Sequence, residues 1–338
     1  MFKNVRPLVA LGLFLILPAL ACATLLPAGI SSTALPSTEL PKGTEGVGGP
    51  PPGGCPENQG RIVLSYDPKD IESVHYGIYL MDADGSHRIR LSGPDEQTDT
   101  DPAWSPDRCR IAFTRFTGTE EQDIYLMAAD GNSIRRLTTD PARDMFPDWS
   151  PDGKQIVFVS YRDGGIRNLF VMNADGSDQR QLTKNKGGYS QWDQWSPTGD
   201  EIAFTYNPGG NQGTSIYAIK PDGSGQRQVA APPGGLGDQE PAWSPDGEKI
   251  YVISNRSSLT EIWEMRVDGS GLQQLTHFGG SPSPEHSLRV SPDGKYLAFY
   301  GTGPEVVRNS TEIYVINADG SGLSNISNAI GADEWLDW

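Results

Sequence analysis

Few residues of this sequence are of the types that usually carry catalysis or bind nucleic acids. The 338 residues include four His and three Cys, and the 27 Lys and Arg are outnumbered by 43 Asp and Glu. Because recognition of a phosphate backbone depends on Lys and Arg, this balance argues against a nucleic-acid partner. The sequence also lacks Gly-x-Ser-x-Gly, His-Glu-x-x-His and phosphate-binding glycine-rich motifs, so an enzyme is not expected. A cation, a basic protein segment or a polar ligand suits the acidic charge better.

Helical periodicity is absent as well, and hydrophobic residues make up only 36% of the chain. Gly and Pro are frequent instead, with 40 and 27 copies. At this density, and without a collagen period, they indicate short elements joined by tight turns. The sequence therefore predicts an all-β fold.

Residues 1–22 have the features of an export signal. Lys3 and Arg6 precede an apolar run, and a small-residue cleavage site ends at Ala21. Cleavage there would leave Cys22 first, and the stretch from Leu17 to Cys22 resembles a bacterial lipoprotein signal, in which this Cys is lipidated. The prediction is export to the bacterial cell envelope, either periplasmic or on the outer surface. Lipidation of Cys22 and plain secretion are the alternatives, and only the former gives contact with the membrane.

Residues 23–54 are rich in Ala, Ser, Thr, Pro and Gly. A segment of this composition buries too little apolar surface to offset the entropy lost on ordering. We therefore predict a disordered tether between the signal and the folded domain.

A motif of the type Trp-Ser-Pro-Asp-Gly recurs through the remaining chain. Its Trp, replaced once by Val, stands at Trp104, Trp149, Trp195, Trp243, Val290 and Trp338. Each unit of 45 to 48 residues also holds an alternating apolar run, an aromatic-containing run, an Asp-Gly turn and a short final strand. Such runs and turns indicate four strands, and a repeat of this length indicates a propeller. Residues 55–338 are therefore predicted to form a six-bladed β-propeller of four-stranded blades.

The two chain ends each hold part of one repeat. Trp338 stops where Ser-Pro-Asp-Gly should follow, while Cys55 begins a segment that precedes the first apolar strand without a Trp. We predict that the C-terminal strand completes the N-terminal blade as its innermost strand, which removes exposed sheet edges. Cys55 and Cys109 fall near the same turn of adjacent blades. Since export favours oxidation, they are a candidate disulfide pair.

The succession of Trp-Ser-Pro-Asp-Gly, Ile-Ala-Phe-Thr, Ile-Tyr-x-Met and Asp-Gly-x-Gly-x-x-x-Leu-Thr resembles the WD-like propeller repeat of the TolB family. The resemblance covers residues 55–338. TolB proper has an additional α/β domain before its propeller, where this chain has the predicted tether. The resemblance implies an exported propeller, expected as a monomer, that binds another protein or a peptide of the cell envelope.

Polar side chains recur five residues before each Trp or Val of the motif. They are Asp99, Asp144, Ser190, Asp238, Glu285 and Asp333. If the Trp strand is innermost, the five carboxylates would ring the mouth of the central channel. In one interpretation each residue caps the loop that leads into its inner strand. In the other, Asp99, Asp144, Asp238, Glu285 and Asp333 bind a hard cation such as Ca²⁺ or attract a basic peptide. No cofactor is otherwise required.

The segment from Gly187 to Asp193 departs from the repeat. Tyr189, Trp192 and Asp193 are candidate ligand contacts at the channel rim, with ordinary loop variation as the alternative. Together with the acidic residues they predict a protein- or peptide-binding site at the channel mouth. The alternative function is a metal-dependent hydrolase or lyase acting on a small polar substrate in the channel. That activity needs a general base near the metal, and the four scattered His residues supply none that the repeat places there.

Overall fold

The computed structural model describes residues 55–68, 75–92, 97–118, 121–303, 311–327 and 332–338. The predicted export signal, Cys22 and the tether lie outside the described residues. In the part that is described, we find no helix with the length and apolar character needed to cross a membrane.

Short β-branched and aromatic runs form strands throughout, as the sequence predicts. A single 3-10 turn, Pro56–Asn58, precedes the first strand. The strands are β1 (Arg61–Asp67), β2 (Gly77–Asp82), β3 (Ile89–Arg90), β4 (Asp99–Trp104), β5 (Arg110–Phe116), β6 (Gln122–Ala128), β7 (Arg135–Arg136), β8 (Asp144–Trp149), β9 (Gln155–Asp163), β10 (Ile166–Asn173), β11 (Arg180–Gln181), β12 (Tyr189–Trp195), β13 (Ile202–Asn207), β14 (Ser215–Ile219), β15 (Arg227–Ala230), β16 (Asp238–Trp243), β17 (Lys249–Ser254), β18 (Glu261–Arg266), β19 (Gln273–Gln274), β20 (Ser283–Val290), β21 (Tyr296–Thr302), β22 (Glu312–Asn317), β23 (Ser324–Asn325) and β24 (Ala332–Asp337).

These strands form six antiparallel sheets of four, which are the blades of a propeller. The first blade has the order β24-β1-β2-β3, and the other five follow in chain order from β4 to β23. The innermost strands contact one another in the order β24, β4, β8, β12, β16, β20 and back to β24. The predicted six-bladed all-β propeller is confirmed.

The pairing of β24 with β1 closes the ring. Leu64 stands opposite Leu336 in this pair, and both side chains lie in one apolar cluster with Trp338. The predicted completion of the N-terminal blade by the C-terminal strand is therefore confirmed. Beside this blade, a disulfide joins Cys55 to Cys109 of the second blade, with 5.2 Å between the two Cα atoms.

Each Ser-Pro-Asp-Gly turn is held by its own side chains. Ser150 Oγ donates a hydrogen bond to Asp152 at 2.7 Å and accepts one from the N–H of Gln155 at 2.9 Å. Such a turn also faces the preceding blade. In the fourth blade, a Cβ on Gly199 of the turn would lie 3.3 Å from Pro151 of the third blade. The repeated motif therefore packs neighbouring blades together.

The Asp-Gly turns that join the third and fourth strands of the blades make a second contact between neighbouring blades. Gly269 has φ +83°, and a Cβ placed on it would lie 2.0 Å from the carbonyl oxygen of Val229 in the preceding blade. Glycine is required there for two reasons: the backbone conformation disfavours L side chains, and the neighbouring backbone leaves no room for a Cβ. The same close approach recurs at Gly85, Gly131, Gly176 and Gly320, whereas a Cβ at Gly223 would lie at an ordinary 3.4 Å from the carbonyl oxygen of Leu182.

We predict that Gly269→Ala destabilises the propeller far more than Gly164→Ala. Both glycines have positive φ, but a Cβ on Gly164 would meet nothing within 4 Å. The backbone conformation costs about 1–2 kcal/mol in both variants, and crowding against Val229 adds about 1–3 kcal/mol in the first. Urea unfolding of the two variants measures the difference, and equal losses would contradict a packing role for the Asp-Gly turn.

We further predict that ring closure depends on the apolar side of β24. Leu336 is 1% exposed and Leu259 is 47% exposed. Leu336→Ala should lower the free energy of unfolding by about 2–5 kcal/mol, because it leaves a cavity. Leu259→Ala is the matched control and should change it by less than about 0.5 kcal/mol. Similar unfolding midpoints for the two variants would show that closure contributes little.

Candidate functional site

The structure places the carboxylates of the predicted acidic ring inside the blades. Asp99, Asp144, Asp238 and Asp333 are at most 1% exposed. Each one pairs with an arginine of its own blade: Asp99 with Arg115 at 2.7 Å, Asp144 with Arg162 at 2.5 Å, Asp333 with Arg88 at 2.9 Å, and Asp238 with Arg256. A guanidinium thus already balances each of these charges.

The other two members of the predicted ring have partners within their blades as well. Ser190 is fully buried and accepts a hydrogen bond from Asn185 Nδ2 at 2.9 Å. Glu285 accepts one from Thr302 Oγ1 at 3.1 Å. Across the described residues, no group of three or more His, Cys, Asp or Glu side chains is arranged to hold a metal ion.

Calcium binding by Asp99, Asp144, Asp238, Glu285 and Asp333 stays a prediction, and the geometry of the described residues gives it no support. Equivalent positions in the repeat do bring these residues to equivalent depths. However, the four aspartates among them turn toward arginines of their own blades, because a buried carboxylate needs a local counter-ion. Glu285 is partly exposed and lies near His286.

A different position of the repeat lines the channel. Three residues before each Trp or Val, the innermost strand has a non-glycine residue with φ between 39° and 57°. These residues are Asp101, Phe146, Trp192, Glu240, Ser287 and Trp335. The pairing of each innermost strand with its neighbour shifts register here, as between Thr100 and Ala103, so each strand carries a β-bulge. The bulge aims all six side chains at one central cavity.

One side of the channel mouth is an aromatic and acidic cluster. His286 Nδ1 lies 2.8 Å from Glu240 Oε1, and the imidazole packs against Trp192 with 4.8 Å between ring centroids. Tyr300 lies on the imidazole at 5.6 Å. The three contacts join residues from the fourth, fifth and sixth blades, so they fix these blades relative to one another at the mouth.

The first blade extends this surface. Trp335 packs edge-on against Tyr76 at 5.8 Å, and Glu334 interacts electrostatically with His286. We call Trp192, Glu240, His286, Tyr300, Glu334 and Trp335 the mouth cluster. Four of these side chains are partly exposed, those of Trp192, His286, Glu334 and Trp335. The cluster therefore presents both indole rings and negative charge to solvent.

Burial and the nearby carboxylates act in opposite directions on His286. Burial lowers its pKa, but the hydrogen bond and charge of Glu240, with the charges of Glu285 and Glu334, outweigh that effect and raise it. Burial also raises the pKa of Glu334, while a hydrogen bond from Tyr76 and the charge of His286 lower it. The imidazole is thus the local counter-ion of an acidic surface.

Below the mouth, the cavity contains carboxylates without full compensation. Asp193 is 5% exposed, and neither of its oxygens has a hydrogen-bond partner among the described residues. Burial raises its pKa well above the usual value, and the charge of Asp148 raises it further. Burial likewise raises the pKa of Asp148 and of Asp101 to about 7. Arg289 is the one arginine among the described residues that line the cavity. Its Nε lies 3.3 Å from Asp337, and its charge partly offsets the raised pKa of Asp193 and of Asp148.

The segment that departs from the repeat therefore splits into three environments. Trp192 joins the mouth cluster, and Asp193 lines the cavity. Tyr189 instead lies under the guanidinium of Arg167 at 4.4 Å and accepts a hydrogen bond from Asn207. Sequence reasoning missed Glu240, His286, Tyr300, Glu334 and Trp335. Glu240 and Trp335 each lie three residues before the motif Trp, and this spacing could have indicated them. The residue types at that position differ from blade to blade, so no pattern was visible in the sequence.

The fold and the mouth cluster together define a β-propeller with an aromatic and acidic surface at one end of its axis. The family model described as TolB beta propeller domain matches residues 78–231 and 188–329. The chain belongs to this family.

Individual relatives agree with this membership. The Tol-Pal system protein TolB of Anaeromyxobacter dehalogenans is 42% identical over 102 residues, which are 29% of this chain and 21% of the relative. The chain spans less than half the length of the curated relatives it matches first, 47% and 21%.

Solved structures show the same fold. The structure of TolB from Acinetobacter baumannii superposes with a TM-score of 0.69 at 20% identity, over 82% of this chain and 66% of that one. An oligogalacturonate lyase in complex with manganese superposes with a TM-score of 0.54 at 15% identity, over 75% of this chain and 70% of that one. At these identities the likeness concerns the fold only.

We predict that Asp238 is structural. Asp238→Ala leaves Arg256 buried without its counter-ion, which should lower the free energy of unfolding by about 3–5 kcal/mol. The matched control is Glu201→Ala, whose partner Arg227 is 37% exposed; such a surface pair is worth about 0–1 kcal/mol. Urea unfolding distinguishes the two. A stable Asp238→Ala variant that loses a heat of calcium binding present in the parent would restore the cation interpretation.

Proposed function

We propose that this protein is a binding module of the bacterial cell envelope, which holds a peptide or surface segment of another envelope protein at the mouth cluster. Export by the N-terminal signal and a tether from Cys22 would keep the propeller near a membrane surface. The family membership supports this proposal, as does a relative whose name places it in the Tol-Pal system.

The observation that carries the proposal is the contact of Trp192 with His286, which Glu240 holds in place. Tryptophan side chains supply a large share of the energy at protein interfaces, particularly when they are rigid before binding. Trp192 is rigid because its backbone is fixed in the bulge and its ring lies on the imidazole. Trp335 provides a second ring of this kind from the first blade.

Backbone strain supports the same site. A non-glycine residue with φ near 50° costs about 1–2 kcal/mol. Trp192 and Trp335, at 50° and 39°, keep this conformation although their rings are partly exposed. The conformation recurs in all six innermost strands, and in the fourth and first blades it aims an indole ring at the mouth.

Charge favours a basic partner. The chain has a formal net charge of −16, and Glu285 and Glu334 lie close enough to His286 to act on its pKa. An acidic surface attracts basic segments and accelerates their association. The interaction should therefore weaken as the salt concentration rises.

Binding is better supported than the alternative of a metal-dependent hydrolase or lyase. The mouth cluster contains one histidine, whose Nδ1 is already bonded to Glu240. No set of three candidate metal ligands exists in the portion of the chain that the structure covers.

The proposal predicts that Trp192→Ala removes partner binding while the fold persists. Tagged propeller would be used to capture proteins from envelope extracts at low salt, with mass spectrometry of the eluate. Loss of a central tryptophan commonly costs 2 kcal/mol or more, so capture should fall by about 30-fold or more.

Trp263→Ala is the matched control, because Trp263 is also partly buried but lies on the third strand of its blade. It should retain capture. Equal capture by parent and Trp192→Ala, or equal loss in both variants, would refute binding at the mouth cluster.

A further inference from the structure

We propose that the axial cavity beneath the mouth cluster binds the ammonium group of a lysine side chain, contributed by the segment that docks at the mouth. The inference extends the proposed function by naming the residue type that the partner inserts. It rests on that function only for the source of the lysine.

The first ground is unsatisfied hydrogen-bonding capacity. Both oxygens of Asp193 and Oδ1 of Asp101 are buried without a hydrogen-bond partner among the described residues. Asp193 is 5% and Asp101 8% exposed, and both residues line the same cavity. A buried polar atom left unpaired is costly, so such atoms usually mark an absent partner. Three free acceptor oxygens match the three donors of an ammonium group.

The second ground is charge. Asp101, Asp193 and Glu240 line the cavity, and among the described residues that line it the guanidinium of Arg289 is the one arginine group. Glu240 is balanced by His286 at 2.8 Å, and Arg289 lies against Asp337 at 3.3 Å. Arg289 also acts on Asp193, but burial outweighs it and keeps the pKa of Asp193 raised. Asp101 is buried, and no cation contributes to its raised pKa.

The third ground is size. The cavity has a volume of about 30 Å³, which accommodates roughly two water-sized groups. An ammonium group has this size, whereas a guanidinium is a wider planar fork. A long unbranched side chain would place the ammonium group beyond the rings of Trp192 and Trp335, while its backbone stays at the mouth.

The sequence itself retains an unfavourable group here. A buried, unpaired carboxylate destabilises a fold, and Asp193 stands where the second and fifth blades have Pro102 and Pro241. An isosteric Asp193→Asn change removes the charge without changing the size. It should therefore raise the thermal midpoint at neutral pH in the absence of any ligand.

The test uses n-butylammonium, which reproduces the lysine side chain, and needs no knowledge of the partner. Thermal midpoints of the full propeller would be measured across a concentration series at constant ionic strength, with tetramethylammonium as the bulky control. A saturable rise with n-butylammonium alone is expected, since a ligand that binds only the folded state stabilises it. Asp193→Asn should weaken the apparent affinity at least about tenfold, as expected for loss of a charged hydrogen bond.

Control variants separate this inference from the proposed function. Asp163→Asn, an exposed carboxylate of the third blade, should leave the response unchanged. Glu334→Gln changes a mouth-cluster residue that is not part of the cavity lining, so it should weaken capture of the partner but retain the response to n-butylammonium. Equal responses to the two ammonium ions, or an unchanged response in Asp193→Asn, would overturn the inference while leaving binding at the mouth cluster intact.

Discussion

Closure of the ring by β24 is the constraint on which the remaining structure depends. Without β24, strand β1 would have an unpaired edge, and an open stack of blades would expose one sheet face at each end; the pairing of β24 with β1 covers this edge and closes the ring. Closure also brings β20 and β4 onto opposite sides of β24. Only then do the bulges of all six innermost strands point to one axis, and only then does a cavity exist.

The repeat divides its polar residues between two purposes. One position, five residues before the Trp or Val, holds a buried carboxylate–arginine pair in four of the six blades, such as Asp99 with Arg115. The position three residues before it faces the axis, where the side chains differ from blade to blade. A scaffold made of near-identical blades can therefore carry an asymmetric recognition surface. In this chain the asymmetry favours the fourth, fifth, sixth and first blades, which supply Trp192, Glu240, His286 and Trp335.

The mouth cluster and the cavity beneath it differ in how their charged side chains are compensated. At the mouth, Glu240 and His286 satisfy each other and hold an aromatic surface open to solvent. In the cavity, Asp193 has no hydrogen-bond partner among the described residues, and its pKa is raised because burial disfavours the charged form. A partner that brings its own cation would complete the second set of groups while docking on the first.

The sequence alone determined the architecture, because a propeller is a local pattern repeated. Strand, turn and blade number follow from runs of residues that are neighbours in the chain, and the split repeat at Cys55 and Trp338 indicated how the ring closes. The candidate site was predicted only in part: Trp192 and Asp193 were named, whereas four of the acidic residues five positions upstream of the motif pair with arginines inside their blades. Equivalent position in a repeat specifies depth along the strand and not the direction of a side chain. The tertiary structure decided that direction, since a bulge turns residues such as Glu240 toward the axis while a buried arginine holds Asp238 within its blade.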